Sequence, residues 1–291
     1  SLPPRRGDDG YSAQGGILVV FVQTPHIRCL HNVFRNKIIR IMDKYGLIGY
    51  PLGHSFSISY FNEKFQNEGI DAVYENYEIP DIDNLPEILD SNPELRGLNV
   101  TIPYKQQVIK YLDALSPEAQ AIGAVNVIKV THKDRKTILK GYNSDVIGFT
   151  RSIEALIEPC HKKALILGTG GASKAINYGL QSLGLETLFV SRTAKENAIT
   201  YNQVTPDLIK EYKVIVNCTP IGMYPHADEC PNLPYYAMDS HTLLYDLIYN
   251  PDETMFLKRG KEHGATVVNG LEMLLLQAFA SWEFWNGKEQ K

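Results

Sequence analysis

A short glycine-rich turn at residues 168–173 most constrains what this chain can fold into. The apolar run at 164–167 is typical of a buried strand, and a helical pattern follows the turn from residue 172 to about 183. A second apolar run comes after it at 187–190. A strand, a glycine turn, a helix and a strand in this order form a βαβ unit, whose first turn can bind a pyrophosphate through backbone N–H groups at a helix N-terminus. The stretch therefore predicts a dinucleotide site.

The turn meets the dinucleotide fingerprint Gly-x-Gly-x-x-Gly/Ala only in part. Gly168 and Gly170 occupy the first two positions, whereas Ser173 stands at the third. Serine is small enough for the close packing of helix on strand that this third position requires. An ordinary glycine-rich turn between a strand and a helix is the alternative that this stretch alone leaves open.

The end of the second strand of this unit favours NADP over NAD. In NAD-binding units an Asp or Glu at this place accepts hydrogen bonds from the ribose 2′-hydroxyl. Here the position is Ser191, followed by Arg192 and Thr193. Arg192 can form forked, charge-assisted hydrogen bonds to a 2′-phosphate, although a solvated surface arginine is the alternative. The carboxylate of Glu196 weakens this preference, and Lys195 partly offsets it.

Length and composition predict a globular protein of about two domains, and the cysteine pattern, typical of free thiols, predicts a cytosolic location. The chain has 291 residues, of which 44% are hydrophobic and 21% charged. Its net charge of −4 gives no reason to expect a nucleic-acid partner, and no apolar run is long enough to span a membrane. The four cysteines lack C-x-x-C spacing, so we expect neither a metal site nor a redox dithiol. The oligomeric state, monomer or homodimer, stays open.

Residues 1–41 differ from the rest of the chain in net charge and contain no methionine. They hold six Lys/Arg and two Asp/Glu, a net charge of +4, so residues 42–291 carry −8. Met42 is the first methionine, and a strand-like run follows it at 45–49. We therefore predict that the fold begins at Met42 and that residues 1–41 are upstream translated or vector-derived sequence outside it. A natural basic extension is the alternative.

Strand-like and helix-like segments alternate after Met42, which predicts an α/β fold. We expect an N-terminal α/β substrate-binding domain and a Rossmann-type dinucleotide-binding domain, with a cleft between them. The first comprises residues 42–143 and 268–291, and the second residues 144–267. Predicted strands lie at 45–49, 73–79, 97–100, 164–167, 187–190, 213–217, 243–246 and 265–267, with a hairpin at 125–130 and 137–142. Predicted helices lie at 57–68, 86–89, 103–112, 144–158, 172–183, 251–261 and 269–285.

Short neutral polar residues cluster at the predicted strand ends of the first domain. Converging in a cleft, such hydrogen-bonding groups suit a polyhydroxylated ligand. These residues, and the charged residues in the same clusters, each also have a purely structural explanation. Ser55, Ser57 and Asp145 can be helix N-caps, Asn99 a turn former and Lys105 a solvated surface lysine. The clusters lie at residues 54–57, 99–105, 123–126 and 143–145.

Seven motifs in this chain resemble, in order, those of the shikimate dehydrogenase family, and the resemblance extends from Met42 to the end. The motifs are Gly49-Tyr-Pro-Leu-Gly-His-Ser-Phe-Ser57, Asn99-Val-Thr-Ile-Pro-Tyr-Lys105, Gly123-Ala-Val-Asn126, Asn143-Ser-Asp145, Gly168-Thr-Gly-Gly-Ala-Ser173, Asn217-Cys-Thr-Pro-Ile-Gly-Met223 and Asn269-Gly-Leu-Glu-Met-Leu-Leu-Leu-Gln277.

The resemblance implies reversible reduction of 3-dehydroshikimate to shikimate with NADPH, a step in aromatic amino-acid biosynthesis. It implies Lys105 and Asp145 as the catalytic pair. For the substrate it implies Ser55 and Ser57 at the carboxylate, Asn99, Thr101, Asn126 and Gln277 at the ring hydroxyls, and Tyr249 beside them. For the cofactor it implies Gly170, Gly171 and Ala172 at the phosphates, Arg192 and Thr193 at the adenosine phosphate, and Gly222, Met223, Gly270 and Met273 beside the nicotinamide. Gly168, Ser191 and Thr219 are also predicted to bind the cofactor.

The chemistry of these residue types agrees with the implied reaction. Hydride addition to a ketone leaves negative charge on oxygen, so a proton donor must lie nearby. A free lysine, with a pKa of about 10.4, is protonated at pH 7 and can donate. In the reverse direction, a neighbouring carboxylate can orient the lysine and balance its charge. Which member of the pair Lys105 and Asp145 carries the proton stays open.

Several residues depart from the family pattern, and two other functions therefore remain as alternatives. Ser191 replaces a frequent asparagine, and Glu196 stands where NADP-specific members often have a second arginine. Glu272 interrupts what is often Gly-Leu-Gly, and Asn269 replaces an aspartate. One alternative is a quinate/shikimate dehydrogenase with relaxed use of NAD and NADP. Another is a catalytically silent shikimate-binding paralogue, against which the presence of both catalytic residues argues.

Overall fold

The structure, a computed structural model, describes residues 42–53, 55–134 and 136–287. The predictions for residues 1–41 therefore lie outside the described residues. The described part contains two six-stranded sheets, one formed by the first six strands along the chain and one by the last six. The predicted α/β fold with two sheet-based halves is confirmed. None of its helices combines the length and hydrophobicity needed to cross a lipid bilayer.

The first sheet is mixed and has the strand order β2-β1-β3-β5-β6-β4. Strand β1 runs parallel to β2 and β3, whereas β5 is antiparallel to both β3 and β6, as the predicted hairpin requires. The strands are β1 (Asp43–Gly49), β2 (Ala72–Glu78), β3 (Leu95–Val100), β4 (Ala114–Leu115), β5 (Val127–Lys133) and β6 (Lys136–Tyr142). Its helices are α1 (Phe56–Glu68), α2 (Leu85–Ser91) and α3 (Pro117–Ile122).

The second sheet is entirely parallel, with the order β12-β11-β10-β7-β8-β9. The chain builds outward from β7 to β9 and then returns to build from β10 to β12, so the order reverses between β7 and β10. Open parallel sheets bind ligands at such a switch point. The strands are β7 (Lys163–Leu167), β8 (Glu186–Ser191), β9 (Ala198–Thr200), β10 (Val214–Asn217), β11 (Leu243–Asp246) and β12 (Thr266–Val268). The remaining helices are α4 (Asp145–Ile153), α5 (Gly171–Ser182), α6 (Pro206–Glu211), α7 (Met255–Glu262) and α8 (Leu271–Trp285).

The inner strands β7 and β10 of this parallel sheet have continuous apolar runs because helices cover both faces of the sheet. Leu165 and Ile166 of β7 and Ile215 and Val216 of β10 are all fully buried. Full burial of such a side chain contributes about 1.5–3 kcal/mol each. These runs therefore form strands without the alternation of polar and apolar residues expected of a half-exposed sheet.

Helix α8 returns to the first sheet and crosses α4 at close range. The Trp285 indole donates to the carbonyl of Ile128 at 3.1 Å and covers Gly97, where an added Cβ would lie 2.3 Å from the ring. On α4, a Cβ at Gly148 would lie 2.6 Å from the Met273 carbonyl oxygen. The absence of a side chain at Gly148 thus lets the two helices approach, which brings the start of α4 beside the middle of α8.

Three predicted helices differ from the structure. The predicted helix 251–261 begins four residues later, at Met255. Residues 103–112 form a turn and the 3-10 helix Gln107–Tyr111 rather than an α-helix. The carbonyl of Lys105 accepts the N–H of Val125 at 2.7 Å, a tertiary bond that competes with the helical pattern. The predicted helix 144–158 is shorter: α4 ends at Ile153, a 3-10 turn covers Glu154–Leu156, and Pro159 then disfavours helical backbone before it.

Candidate active site

A cavity of about 470 Å³ lies at the carboxyl ends of the strands, and residues from both halves of the fold line it. It brings together every residue predicted as catalytic or substrate-binding, although these come from six separate stretches of sequence. They are Ser55, Ser57, Asn99, Thr101, Lys105, Asn126, Asp145, Tyr249 and Gln277. Four predicted cofactor residues, Ala172, Met223, Gly270 and Met273, also line it. The other eight are not among its lining residues: Gly168, Gly170, Gly171, Ser191, Arg192, Thr193, Thr219 and Gly222.

An ion pair between Lys105 and Asp145 stands in the cavity wall. Lys105 Nζ lies 2.6 Å from Asp145 Oδ2, and the two side chains are only 15% and 8% exposed. Asp145 is the first residue of α4, so the helix dipole stabilises its carboxylate. Its other oxygen, Oδ1, accepts a hydrogen bond from Asn126 Nδ2 at 2.9 Å. The lysine is therefore not the solvated surface residue of the structural alternative.

A buried hydrogen-bond network fixes the two asparagines behind this pair. Asn126 Oδ1 accepts from the Ser144 N–H at 2.6 Å, and the Ser144 and Ser281 hydroxyl oxygens are 3.1 Å apart. Asn99 Nδ2 donates to Ser281 Oγ at 3.0 Å, and the Tyr74 hydroxyl donates to Asn99 Oδ1 at 2.8 Å. Complete burial raises the pKa of Tyr74, which keeps this donor neutral. The network holds both amides in one orientation.

Sequence reasoning missed three members of this network, Tyr74, Ser144 and Ser281. Ser281 lies four residues after Gln277 on α8 and thus on the same helix face, a spacing that could have identified it. Ser144 lies inside the motif 143–145 but carried no role there. Tyr74 lies in β2, on the opposite side of β1 from the strand that contains Asn99. No sequence pattern near Tyr74 indicates this contact, because only the pairing of the strands brings the two residues together.

The start of α1 forms one end of the cavity. Ser55 occupies the N-cap position of α1, but its side chain makes no capping hydrogen bond, and Ser57 lies in the first turn. Hydroxyl groups at a helix N-terminus suit an anion such as a carboxylate. Between them, Phe56 contacts Tyr249 edge to face with ring centroids 6.3 Å apart. This contact joins the two halves of the cavity wall, and Phe56 is a lining residue that the sequence did not indicate.

The glycine turn has the geometry of a phosphate site. Gly168 has a φ of +102°, and Gly170 is the N-cap of α5 with no side chain capping the helix. A Cβ built on Gly170 would meet no atom within 4 Å, so space lies open before the helix N-terminus. Ser173 is fully buried and donates to the Gly170 carbonyl at 2.7 Å, which fits a small third fingerprint position. A dinucleotide phosphate therefore fits this turn.

The same turn touches the lysine of the ion pair. A Cβ built on Gly171 would lie 3.1 Å from Lys105 Cβ, so the aliphatic stem of Lys105 rests directly on the glycine. On the next turn of α5, Lys174 Nζ donates to Gln106 Oε1 at 2.9 Å. The predicted cofactor turn and the predicted catalytic pair are thus in contact.

Arg192 and Thr193 lie exposed beyond the end of β8, where the prediction places the adenosine phosphate. Ser191 is buried, and its hydroxyl accepts the Thr193 N–H at 3.4 Å, which fixes the turn. Within the described residues the Arg192 guanidinium makes no salt bridge. Glu196 lines a separate cavity of about 520 Å³ against α5, whose lining does not include Arg192.

A group of potential metal ligands, Glu158, Cys160 and His161, lies outside the cavity. His161 Nδ1 accepts the Glu158 backbone N–H at 2.9 Å, and His161 Nε2 lies 2.9 Å from the His241 carbonyl oxygen. Both ring nitrogens are therefore engaged in joining this loop to the neighbouring one.

The comparisons with known proteins point to one protein family. A family model described as the shikimate dehydrogenase substrate binding domain matches residues 47–128. The shikimate dehydrogenase (NADP(+)) of Carboxydothermus hydrogenoformans is 40% identical over 259 residues, covering 83% of this chain and 91% of the relative. The chain belongs to the shikimate dehydrogenase family. A second family member, from Methanococcus maripaludis, is 38% identical over 264 residues, or 84% of this chain and 91% of its own length.

A solved structure of the family has the same fold. The shikimate 5-dehydrogenase of Thermus thermophilus, in complex with NADP(H) and shikimate, superposes with a TM-score of 0.73 at 31% identity. The match covers 84% of this chain and 94% of that one. Both halves of the fold, and therefore both walls of the cavity, lie within the span that the family shares.

Proposed function

We propose that this protein catalyses the reversible NADPH-dependent reduction of 3-dehydroshikimate to shikimate. The observation that carries the proposal is the Lys105–Asp145 contact of 2.6 Å in a cavity whose other polar lining side chains are all uncharged. A polyhydroxylated carboxylic acid needs such groups for its hydroxyls and one anion-binding end for its carboxylate. Membership of the shikimate dehydrogenase family supports the same assignment.

The substrate carboxylate is assigned to Ser55 and Ser57, because their hydroxyls lie at the N-terminus of α1. The ring hydroxyls are assigned to Asn99, Thr101, Asn126 and Gln277. Rigid placement of these groups orients the ring and reduces the entropy lost on the way to the transition state. Tyr249, in contact with Phe56, closes the wall beside the ring.

Lys105 is assigned as the proton donor in the direction of reduction. When bound, NADPH supplies the hydride that adds to the substrate carbonyl carbon. As negative charge develops on the carbonyl oxygen, the Lys105 ammonium can donate a proton, whereas an ionised Asp145 can only accept hydrogen bonds. Asp145 holds the ammonium in place, and in the reverse direction it balances the charge that returns to the lysine.

The cofactor is assigned to the carboxyl end of the second sheet. Gly168, Gly170, Gly171 and Ala172 would hold the phosphates at the N-terminus of α5. Ser191, Arg192 and Thr193 would hold the 2′-phosphate. Thr219, Gly222, Met223, Gly270 and Met273 would hold the nicotinamide end. We further assign residues 42–143 and 268–291 to the substrate domain and residues 144–267 to the NADP domain. A cytosolic location stays a prediction.

An absorbance assay of the nicotinamide tests this proposal directly. Purified protein is incubated with shikimate or quinate and with NADP⁺ or NAD⁺ in all four combinations. We expect the highest kcat/KM for shikimate with NADP⁺. Faster turnover of quinate, or equal use of both cofactors, would favour the broader quinate/shikimate enzyme. Binding of shikimate without turnover in any combination would favour the silent paralogue.

Arg192→Ala tests the assignment of the 2′-phosphate. Losing a hydrogen bond to a charged group costs about 1.5–3 kcal/mol, so we expect KM for NADPH to rise by about 10- to 100-fold. KM for NADH serves as the internal control and should change little, because NADH has no 2′-phosphate. Equal increases for the two cofactors would refute a contact between Arg192 and the phosphate.

A further inference from the structure

Asp246 is a fully buried carboxylate outside the proposed catalytic pair. It ends β11, directly opposite Asn217 at the end of β10, and the two residues are partners in the strand register. Asn217 Nδ2 donates to Asp246 Oδ1 at 3.0 Å. Burial raises the pKa of Asp246 to about 6, against the effect of its hydrogen-bond donors. A buried carboxylate is costly unless such donors compensate it, so its remaining contacts indicate its role.

Two further donors join Asp246 to the segment after β11. The Ile248 N–H donates to Oδ1 at 3.1 Å, and the Thr254 hydroxyl donates to Oδ2 at 2.6 Å. Thr254 is the N-cap of α7, where its oxygen also accepts the Leu257 N–H at 3.4 Å. One carboxylate therefore fixes both ends of the loop between β11 and α7.

Asn217 extends this network into the turn after β10. Its Oδ1 accepts both the N–H of Thr219 at 3.1 Å and the hydroxyl of Thr219 at 2.6 Å. Its Nδ2 also lies 3.3 Å from the Ile221 carbonyl oxygen. Further along this turn, a Cβ built on Gly222 would lie 3.5 Å from Thr254 Cβ, so the two loops pack together.

The loop before α8 packs against the loop that follows β11. The Gly270 N–H donates to the Ile248 carbonyl at 3.0 Å, and a Cβ on Gly270 would lie only 2.1 Å from the Leu247 carbonyl oxygen. Met223, Leu247 and Gly270, one from each of the three loops, line the cavity. The position of this cavity wall thus depends on the hydrogen bonds among Asp246, Asn217 and Thr254, none of which lines the cavity itself.

We propose that Asp246 is a positioning residue for the nicotinamide end of the cofactor and acts through Asn217 and Thr254. The inference rests on the proposed function, which assigns Gly222, Met223 and Gly270 to that end. Asp246 touches neither substrate nor reacting atoms in this role. It fixes three loops against one another, so loss of the Thr254 bond is expected to misplace the wall that the nicotinamide contacts. The phosphate turn before α5 meets this network at another place, where Gly168 packs on Thr219, and Thr219 is held by Asn217.

Thr254→Val breaks the network with little change of shape, because valine keeps the methyl group beside Gly222 and has a second methyl group in place of the hydroxyl. The change removes the hydrogen bond to Asp246 and the cap on the Leu257 N–H. The affinity of the variant is measured by fluorescence titration with NADPH and by calorimetry with adenosine 2′,5′-bisphosphate, which lacks the nicotinamide. We expect the Kd for NADPH to rise by up to about tenfold, the limit set by the energy of one hydrogen bond to a charged acceptor, because that bond holds the loop in the position that binds the nicotinamide. The Kd for the bisphosphate should not change.

Matched variants separate this role from general stabilisation. Thr205→Val removes an equivalent N-cap from α6, where the Thr205 hydroxyl accepts the Leu208 N–H at 3.3 Å, and should leave both Kd values unchanged. Thr254→Ser restores the hydroxyl and should recover NADPH affinity. Should Thr254→Val fail to fold, Asp246→Asn supplies the same comparison, since its shape is conserved.

Two outcomes would overturn the inference: equal weakening of both ligands by Thr254→Val, or no weakening of NADPH. Either result would mean that the network stabilises the sheet without placing the nicotinamide end. Failure of the proposed function would show differently, because the unmodified protein would then not turn over shikimate in the absorbance assay.

Discussion

Replacing Lys105 with methionine is expected to lower kcat by about 10²- to 10⁴-fold, the usual contribution of a positioned proton donor. Methionine approximates the length of the lysine stem that rests on Gly171, but it lacks the ammonium that meets Asp145. The lysine side chain is only 15% exposed, so water has limited access to replace it as a donor. We expect shikimate to bind with little loss, because the serines and asparagines assigned to it remain in place.

Lys110→Met is the matched control for this experiment. Its ammonium lies 2.7 Å from Asp83 at the surface, with 58% of the side chain exposed, and a surface pair of this kind contributes little to stability. kcat is measured in the reduction direction, and the Kd for shikimate is measured by calorimetry without cofactor. Turnover by Lys105→Met close to that of the control would remove Lys105 from the mechanism.

The parts of the fold that the sequence predicts are those with local signals. The glycine turn, the parallel strand β7 and the β5–β6 hairpin each follow from residues that are neighbours in sequence. The false helix at 103–112 had an equally good local pattern, with a proline at its start. It fails because the Val125 N–H takes the Lys105 carbonyl, and that bond exists only once β3 and β5 are paired.

The active site likewise has features that local sequence predicts and features that depend on contacts between distant parts of the chain. Residue types alone suggested a polyhydroxylated ligand, but they left each polar group with an equally good structural explanation. The family resemblance indicated which residues belong together, and the structure brings the predicted catalytic and substrate-binding residues to one cavity. Tyr74 and Ser281 could not be predicted in this way, because their role depends on strand pairing and on the crossing of α8 over the first sheet.

Asp145→Asn is expected to lower kcat by about 10²- to 10³-fold, similar to the loss of one preorganised electrostatic contact in an active site. The amide is nearly isosteric with the carboxylate, and its oxygen can still accept the hydrogen bond from Asn126. Its NH₂ group, however, would face the Lys105 ammonium, so an attraction becomes a repulsion between two donors. The lysine would then lose the fixed position from which it reaches the carbonyl oxygen. The Kd for NADPH provides the control, since Asp145 is not assigned to the cofactor.

The double variant Lys105→Met/Asp145→Asn distinguishes a cooperating pair from two independent contributions. If Asp145 acts by holding Lys105, its replacement has little left to remove once the ammonium is gone. We therefore expect kcat of the double variant to be close to that of Lys105→Met alone, because residues that act as a unit are strongly non-additive. If instead the fold-decrease in kcat of the double variant equals the product of the two single decreases, Asp145 contributes to turnover independently of Lys105.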